Sequence, residues 1–348
     1  MPLISKKLKT TVGLDIGSYS IKVVEMKHAN GSHEIISVGV KKLLPGAIVD
    51  GEPMDRDAVV SAIKELFEET GIVNRMVVSA ICGRSVIVKK IRLDEMDEEL
   101  AREVITVEAE QYVPFEREEL SVDFEILRRG LPENTMEVLL VAAKKDKVIS
   151  HVDLLRDADL IPAIIDVDAF AVQNAFELNY EYEKDKVYAL IDIGLSATNI
   201  SIVSGGLPLF NRDIQFGGQT FIEGMQRKLG ITSEEARSAL EGVPGNKPDE
   251  VLKAIESVGE DLCTAIERSF SYLRSSGEAE SVDRIYLSGG GSLISGLRSL
   301  LAERLSVEVE LANPLRNVEF REEILGADPV SIGPTLMVAI GLATRQGS

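Results

Sequence analysis

Two stretches of the chain share one pattern of apolar runs and small polar turns. The first, at 11–26, has an apolar run, a Gly-Ser-Tyr-Ser turn and a β-branched run, and the second, at 187–203, repeats this order. The pattern predicts two β-hairpins, each with an Asp-Ile-Gly triplet where its first strand ends. The triplets start at Asp15 and Asp192, 177 positions apart. That period is too long for a solenoid and favours two homologous domains.

Elsewhere, the hydrophobic periodicity predicts alternating helices and strands. Segment 85–160 differs from its surroundings, because its β-α-β-β-α order is typical of a small inserted α+β unit. Its predicted elements are strand 85–92, helix 97–112, strands near 121–127 and 136–143, and helix 146–158. The other predicted elements are strands 76–81, 161–166 and 284–287, helices 55–70, 168–179, 219–229, 233–241, 248–275 and 293–304, and a helical segment within 330–344.

Composition narrows the class of protein. The 348 residues correspond to roughly two domains of 100–200 residues, and a hydrophobic share of 45% is typical of a globular chain. The net charge of −19 disfavours binding to nucleic acid or anionic lipid.

Cys82 and Cys263 lack partners at metal or redox spacing, so we expect free buried thiols in a reducing cytoplasm. The basic N-terminus is not followed by the apolar run of a signal peptide, and no segment is long and apolar enough to span a membrane.

Nearly half of the net charge lies in one segment. Residues 94–119 contain eleven acidic residues against Arg102 and Arg117, a net charge of −9. A solvated helix face is the ordinary interpretation of such a run. The alternative is an electrostatic rim for a basic peptide, because complementary charge guides encounter and register.

The candidate chemistry lies in three glycine-containing turns. The two Asp-Ile-Gly turns are joined by a third, Ser-Gly-Gly-Gly at 288–291, which follows a strand. Turns without bulky side chains can direct several backbone N–H groups at a phosphate, and Asp15 and Asp192 could hold a hydrated Mg²⁺. Neither a P-loop nor a dinucleotide-binding fingerprint is present. The alternative for each turn alone is a purely structural role.

Five ordered segments make the chain resemble the actin, Hsp70 and sugar-kinase superfamily. They are GLDIGSYSIKVVEM, DVDAFAVQNAF, ALIDIGLSATNISIV, IYLSGGGSLISGL and PVSIGPTLMVAIGLA. The inserted unit lies where the cell-division protein FtsA carries its own subdomain. Further strings, EAEQYVPF at 108–115 and NPLRNVEF at 313–320, are similar to the PilM family of type IV pilus assembly proteins. The resemblance extends from about residue 10 to 345.

This resemblance implies an α/β, actin-like ATPase fold with two duplicated ribonuclease-H-like domains and an FtsA-type insertion. The implied subdomains are 1A (10–84 plus 161–183), 1C (85–160), 2A (184–215 plus 282–345) and 2B (216–281). It also implies ATP and Mg²⁺ as cofactors, with Asp15 and Asp192 near the metal through water. The implied nucleotide-binding residues are Asp15, Gly17, Ser18, Tyr19, Ser20, Asp192, Gly194, Leu195, Ser196, Gly217, Gly218, Lys228, Glu235, Ser288, Gly289, Gly290 and Gly291. Gln173 is the residue expected to position an attacking water.

The same resemblance implies a cytoplasmic assembly factor that is peripheral to the inner membrane through its partner. That partner would be the cytoplasmic tail of a PilN-like membrane protein, bound in a groove between subdomains 1A and 1C. Nucleotide would act mainly as a conformational ligand, with slow turnover at most. Two alternatives remain open on the same fold: an active ATPase or phosphotransferase, and a filament-forming cytoskeletal protein. No acidic residue in the sequence stands out as a general base for a phosphotransferase.

Overall fold

The structure is a computed structural model that describes residues 10–346 except 30, 244 and 246, so the basic N-terminal segment lies outside it. The strands are β1 (Thr10–Ile16), β2 (Ser20–Ala29), β3 (Ser32–Lys42), β4 (Ile48–Val49), β5 (Glu52–Pro53), β6 (Met76–Ile81), β7 (Val86–Asp94), β8 (Leu120–Leu131), β9 (Thr135–Lys144), β10 (Ile161–Val167), β11 (Val187–Ile193), β12 (Thr198–Ser204), β13 (Leu207–Ile214), β14 (Arg284–Ser288), β15 (Glu308–Leu311) and β16 (Glu319–Phe320). The helices are α1 (Arg56–Thr70), α2 (Glu98–Glu108), α3 (Lys145–Asp157), α4 (Asp168–Asn179), α5 (Gly218–Leu229), α6 (Ser233–Leu240), α7 (Pro248–Ser275), α8 (Leu297–Leu305), α9 (Pro329–Ile332) and α10 (Met337–Ala343).

Two sheets repeat one topology. The first has the order β10-β6-β1-β2-β3-β16 and the second the order β13-β12-β11-β14-β15. In each, three consecutive strands form an antiparallel meander, and the next two lie parallel to its first strand. The two predicted hairpins are confirmed as β1–β2 and β11–β12. Because both hairpins occupy the same place in their sheets, the two Asp-Ile-Gly turns are equivalent positions of a duplicated fold.

Helices α4 and α10 cross between the sheets in close contact. A Cβ on Gly341 would lie 1.7 Å from the Ala171 carbonyl oxygen, and one on Gly13 would lie 2.1 Å from the Ala339 carbonyl oxygen. Both helices belong to a core that also includes Met26 of the first sheet and Leu190 of the second. Since α4 follows β10 directly, the start of α4 is held where strands of the first sheet end.

The inserted unit forms a separate three-stranded sheet, β7-β9-β8, covered by α2. Its own core ends at Ala142, whereas α3 buries Leu154 and Leu155 in the core of the first sheet. Helix α3 therefore packs with the first sheet, and the bounds 85–160 of the inserted unit stay a prediction.

Other predicted elements are confirmed with changed bounds. The helix predicted over 293–304 begins only at Leu297, because residues 290–293 form a 3₁₀ turn and Gly296 has a φ of +81°. The segment 330–344 is helical but divided into α9, a 3₁₀ turn and α10, and Pro334 lies in that turn. In the described part of the chain, no helix has the length and apolar character needed to cross a membrane.

Candidate functional site

The two Asp-Ile-Gly turns have the same backbone geometry. The Gly17 N–H donates to the Ser20 carbonyl oxygen at 3.2 Å, and the Gly194 N–H donates to the Ala197 carbonyl oxygen at 2.9 Å. A Cβ at either glycine would lie 3.2 or 3.0 Å from that same carbonyl oxygen. Both turns are therefore tight enough to favour glycine, and each follows a carboxylate.

The first carboxylate is paired with a lysine that the sequence analysis missed. Asp15 and Lys22 occupy opposite positions of β1 and β2, and the Lys22 Nζ atom donates to Asp15 Oδ2 at 2.8 Å. Their side chains are only 11% and 14% exposed. Burial by itself would lower the pKa of Lys22, but the charge and hydrogen bond of Asp15 hold that pKa above its usual value, and the charges of Asp192 and Asp168 add to this. Lys22 is therefore a cation among the acidic side chains of both halves.

The second carboxylate has no cation at the matching position. Asn199 lies opposite Asp192 in the register of β11 and β12, and its side-chain amide donates to Asp213 at 2.7 Å. The Ser288 hydroxyl donates to Asp192 Oδ1 at 2.7 Å. Burial raises the pKa of Asp192 to about 6, and the charge of Asp15 contributes, although the Ser288 hydrogen bond opposes this rise. The second half thus carries a carboxylate whose charge is poorly compensated.

The third predicted turn lies against the second hairpin. The Gly289 N–H donates to the Pro334 carbonyl oxygen at 2.9 Å, and a Cβ on Gly289 would lie 2.4 Å from the Ile193 carbonyl oxygen. Gly289 also has a φ of +78°, so both its conformation and its contacts require glycine. A Cβ on Gly290 would meet nothing within 4 Å, so this residue borders open space.

Gly217 and Gly218 also meet the second turn. The Gly218 N–H donates to the Gly194 carbonyl oxygen at 2.9 Å, and a Cβ on Gly217 would lie 2.5 Å from the Leu195 carbonyl oxygen. The N-terminus of α5 is therefore tied directly to residues 194–195, which brings Gly217, Gly218, Leu195 and the adjoining Ser196 into one cluster.

Asp168, the first residue of α4, is a second site residue that sequence reasoning missed. Burial raises its pKa to about 7, with further contributions from the charges of Asp15, Asp192 and Asp213 against a hydrogen bond from the Cys82 thiol. Burial and the nearby charge of Asp168 also raise the pKa of Cys82 well above its usual value. The sequence signal was available: Asp168 follows β10 at the carboxyl end of a strand, where such sites form in α/β sheets. Both cysteines are free, as predicted.

Tyr19 reaches across to the second half of the molecule. Its hydroxyl donates to Glu241 Oε1 at 2.5 Å, and Lys42 Nζ donates to the same oxygen at 3.1 Å. Glu241 follows α6, so the first turn, which also contains Ser18, contacts the helical part of the second domain through Tyr19.

Three predicted residues have local partners instead. Lys228 donates to the Ser257 hydroxyl at 2.7 Å, which links α5 to α7. Glu235 accepts from the Thr232 N–H at 2.7 Å in a capping box at the start of α6. Gln173 is buried and donates to Glu177 and to the Gly206 carbonyl oxygen. Gly206 lies in the turn after β12, beside Val187 at the start of β11. Asp192 comes five residues after Val187, so Asp192 is roughly 17 Å from this turn. These contacts do not bring Gln173 to the two turns, and its predicted role stays a prediction.

The residues present fit a magnesium nucleotide. Two carboxylates, of which Asp192 has no cation directly opposite it, suit a cation that binds few protein oxygens and several waters. Lys22 suits phosphate oxygens, and so do turn N–H groups other than those of Gly17, Gly194, Gly218 and Gly289, which already donate to carbonyl oxygens. Open space borders Gly290. Within 10–346, apart from the three internal positions noted above, no three or more His, Cys, Asp or Glu side chains form a metal cluster. A hydrated ion held from two sides would not need one.

Comparison with known proteins decides the family. A family model described as "Type IV pilus assembly protein PilM" matches residues 13–347. The chain belongs to the PilM family. A solved structure of a PilM-PilN type IV pilus biogenesis complex is similar over 97% of this chain and 98% of that one, with 29% identity and a TM-score of 0.86.

The fold of this PilM family member also occurs in proteins of other kinds. The ethanolamine utilization protein EutJ from Carboxydothermus hydrogenoformans is 15% identical over 99% of this chain and 90% of its own, with a TM-score of 0.59. The activator of 2-hydroxyisocaproyl-CoA dehydratase from Clostridium difficile, solved with bound ADPNP, is 14% identical over 96% of this chain and 92% of its own, with a TM-score of 0.48 that carries no weight for the fold. The predicted actin-like fold is confirmed.

Proposed function

We propose that this PilM family member is a type IV pilus assembly factor whose cleft binds Mg·ATP and which binds the cytoplasmic tail of a PilN-like inner-membrane protein. Its place would be the cytoplasmic side of that membrane, through this partner. The observation that carries the proposal is the near full-length similarity to the PilM of a PilM-PilN complex. The nucleotide would be mainly a conformational ligand, with at most slow hydrolysis.

The nucleotide part of the proposal rests on the duplicated turns. Asp15, Lys22 and Asp192 come from both halves, and the charges of Asp15 and Asp192 reach Lys22. A ligand held by both turns binds the closed arrangement better than an open one, and only such a difference in affinity can shift a conformational equilibrium. Bound ATP would supply the phosphate charge that Lys22 and the turn N–H groups neutralise.

The partner part rests on the inserted unit. Helix α2 carries exposed Glu99 and Glu103, and the surrounding segment 94–119 is strongly acidic. We propose that this unit, 1C, and subdomain 1A form the groove for the tail, and that the acidic helix is the rim that attracts its basic residues. The remaining divisions of the chain into 1A, 2A and 2B stay proposals with the bounds given above.

Two contacts could couple cleft and groove. The Gly83 N–H, at the entry to the inserted unit, donates to Asp213 of β13 at 2.7 Å. Lys90 of β7 forms an ion pair with Glu278, which follows α7, and its own side chain is 11% exposed. Because both contacts join the inserted unit to the second domain, a rotation that closes the cleft would move this unit relative to the first sheet. That is the route by which nucleotide would change partner affinity.

The test is a titration of the full chain with the cytoplasmic tail of a PilN-like protein, with and without Mg·ATP. We expect the tail to bind specifically, with dissociation constants that differ at least twofold between the two conditions. Reversing two charges with Glu99→Lys and Glu103→Lys should weaken binding several-fold at low salt, because exposed charges act over about 10 Å at 0.1 M salt.

The matched control is Glu256→Lys with Glu267→Lys, an equal change of charge on two exposed acids of α7, outside the inserted unit. Equal weakening by both pairs would assign the effect to net charge, and no tail binding at all would contradict the partner. Rapid steady-state release of ADP with a small hydroxylated acceptor would instead favour a phosphotransferase, and reversible long filaments with ATP would favour a cytoskeletal protein.

A further inference from the structure

Strand β3 has an edge that is only partly covered. Among the described residues, the strand on its outer side is β16, which pairs in parallel with Glu34 and Ile35 alone. Beyond a bulge at Ile36, residues 37–42 pair regularly with β2 and have no strand on their other side in the described chain. An open edge of this kind presents unpaired backbone N–H and C=O groups.

A groove of about 400 Å³ follows this open edge. It is lined by residues 36–40 of β3, by Leu66, Glu69 and Thr70 of α1, which form one wall, and by Ile324, which forms the other. Helix α1 packs closely on this strand, because a Cβ on Gly39 would lie 2.4 Å from the Thr70 side chain. Val40 is 41% exposed. The groove is therefore a mixed polar and apolar slot along a strand edge, with Glu69 and Thr70 among its lining residues.

The charge beside the slot selects the kind of occupant. Glu65 and Glu69 are both more than half exposed and share a single lysine, Lys41, at 2.9 and 2.6 Å. Glu322 and Glu323, next to Ile324 on the other wall, are exposed. Each wall thus carries two exposed glutamates against one basic side chain, Lys41 beside the first and Arg321 beside the second, and this excess of negative charge complements a basic segment.

We propose that the edge of β3 at 37–42 is a docking site that accepts an extended, basic peptide as an additional strand beside β16. Backbone hydrogen bonds would supply affinity, and the glutamates beside the slot would select basic side chains on the added strand. A second copy of this chain fits less well, because the groove walls of the two copies would collide before their β3 edges could pair. The site is independent of the proposed function, since β3 lies four strands, about 19 Å, from β10 and the connection to the inserted unit.

The probe is a seven-residue synthetic peptide that alternates lysine with valine, added to the full chain in 0.15 M salt. We expect slower hydrogen exchange of the backbone amides in residues 37–42 on saturation. The dissociation constant should be at least fivefold lower than that of a peptide alternating glutamate with valine. Glu69→Lys should raise the constant for the lysine peptide at least threefold. Glu68→Lys is the matched control, because this residue is exposed on the same helix but does not line the groove, and it should raise the constant less than twofold.

Three results would overturn the proposal. Equal binding of both peptides would exclude the acidic slot as the reason for binding. Binding without protection of residues 37–42 would exclude strand addition. Protection of the same amides that rises with protein concentration in the absence of peptide would make a second copy of the chain the occupant.

Discussion

The two Asp-Ile-Gly turns share a backbone and differ in their charge balance. In the first, Asp15 faces Lys22 across the hairpin and is paired with it. In the second, Asp192 faces Asn199, whose amide is already bonded to Asp213. The duplication thus preserved the turn and changed the residue opposite the carboxylate. The first half brings its own cation, and the second half leaves a carboxylate that an external cation can complete.

The largest expected effect comes from removing the cation of the first turn. Lys22→Met leaves Asp15 buried without its partner, and we expect the free energy of unfolding to fall by about 3 kcal/mol. Asn199→Ala, at the matching position of the second hairpin, should cost only about 1 kcal/mol because it removes a single hydrogen bond to Asp213. Urea denaturation measures both. The double variant Asp15→Asn with Lys22→Met should recover most of the lost free energy of unfolding. If it does not, the unpaired charge of Asp15 is not the cause of the loss.

The next effect concerns Asp168, whose pKa responds to the charges of Asp15, Asp192 and Asp213. The unfolded chain loses this proton near pH 4, whereas burial holds the pKa at about 7 in the folded protein. The folded state therefore loses stability as pH rises from about 4 to about 7. Asp168→Asn removes this penalty, so the variant should be more stable than the parent at pH 8 and nearly equal at pH 4. The gain at pH 8 should not exceed about 4 kcal/mol, which is three pKa units at about 1.4 kcal/mol each. Thermal unfolding at both pH values measures this, and an equal difference at both would refute it.

A smaller effect is expected from Ser288→Ala, which removes the hydroxyl that donates to Asp192. This hydrogen bond lowers the pKa of Asp192 against the effect of burial, so its loss should raise that pKa further. We expect a loss of about 1 kcal/mol in stability at pH 8 and a smaller loss at pH 5, where Asp192 is protonated in both proteins. Ser292→Ala removes a hydroxyl of the same loop that bonds to the Gly289 carbonyl oxygen, and its effect should not change with pH.

The sequence predicted the parts of the site that depend on local pattern. An Asp-x-Gly triplet at a strand end fixes both the turn and the position of the carboxylate, so Asp15, Asp192 and the three glycine turns could be recognised. Lys22 could have been found too, because a hairpin with this turn places it opposite Asp15. Only the packing of α4 against α10 decides which face of α4 meets the cleft. The sequence therefore could not show that Asp168 lies near Asp15 and Asp192. The role predicted for Gln173, which donates to the Gly206 carbonyl oxygen, stays a prediction.

The insertion shows the same limit. Its own elements follow a local pattern and were predicted, but no residue of α3 indicates by itself which core this helix joins. Leu154 and Leu155 would suit either core, and the structure places them with the first sheet.

The central claim is that the two turns hold one magnesium nucleotide from opposite sides. Calorimetric titration of ATP, with and without Mg²⁺, into the parent chain and the Asp192→Asn variant tests it most directly. We predict that Mg²⁺ tightens binding at least tenfold in the parent, about 1.4 kcal/mol, and that Asp192→Asn abolishes most of this gain. Equal ATP affinity in all four titrations, or no binding by the folded parent, would contradict the account.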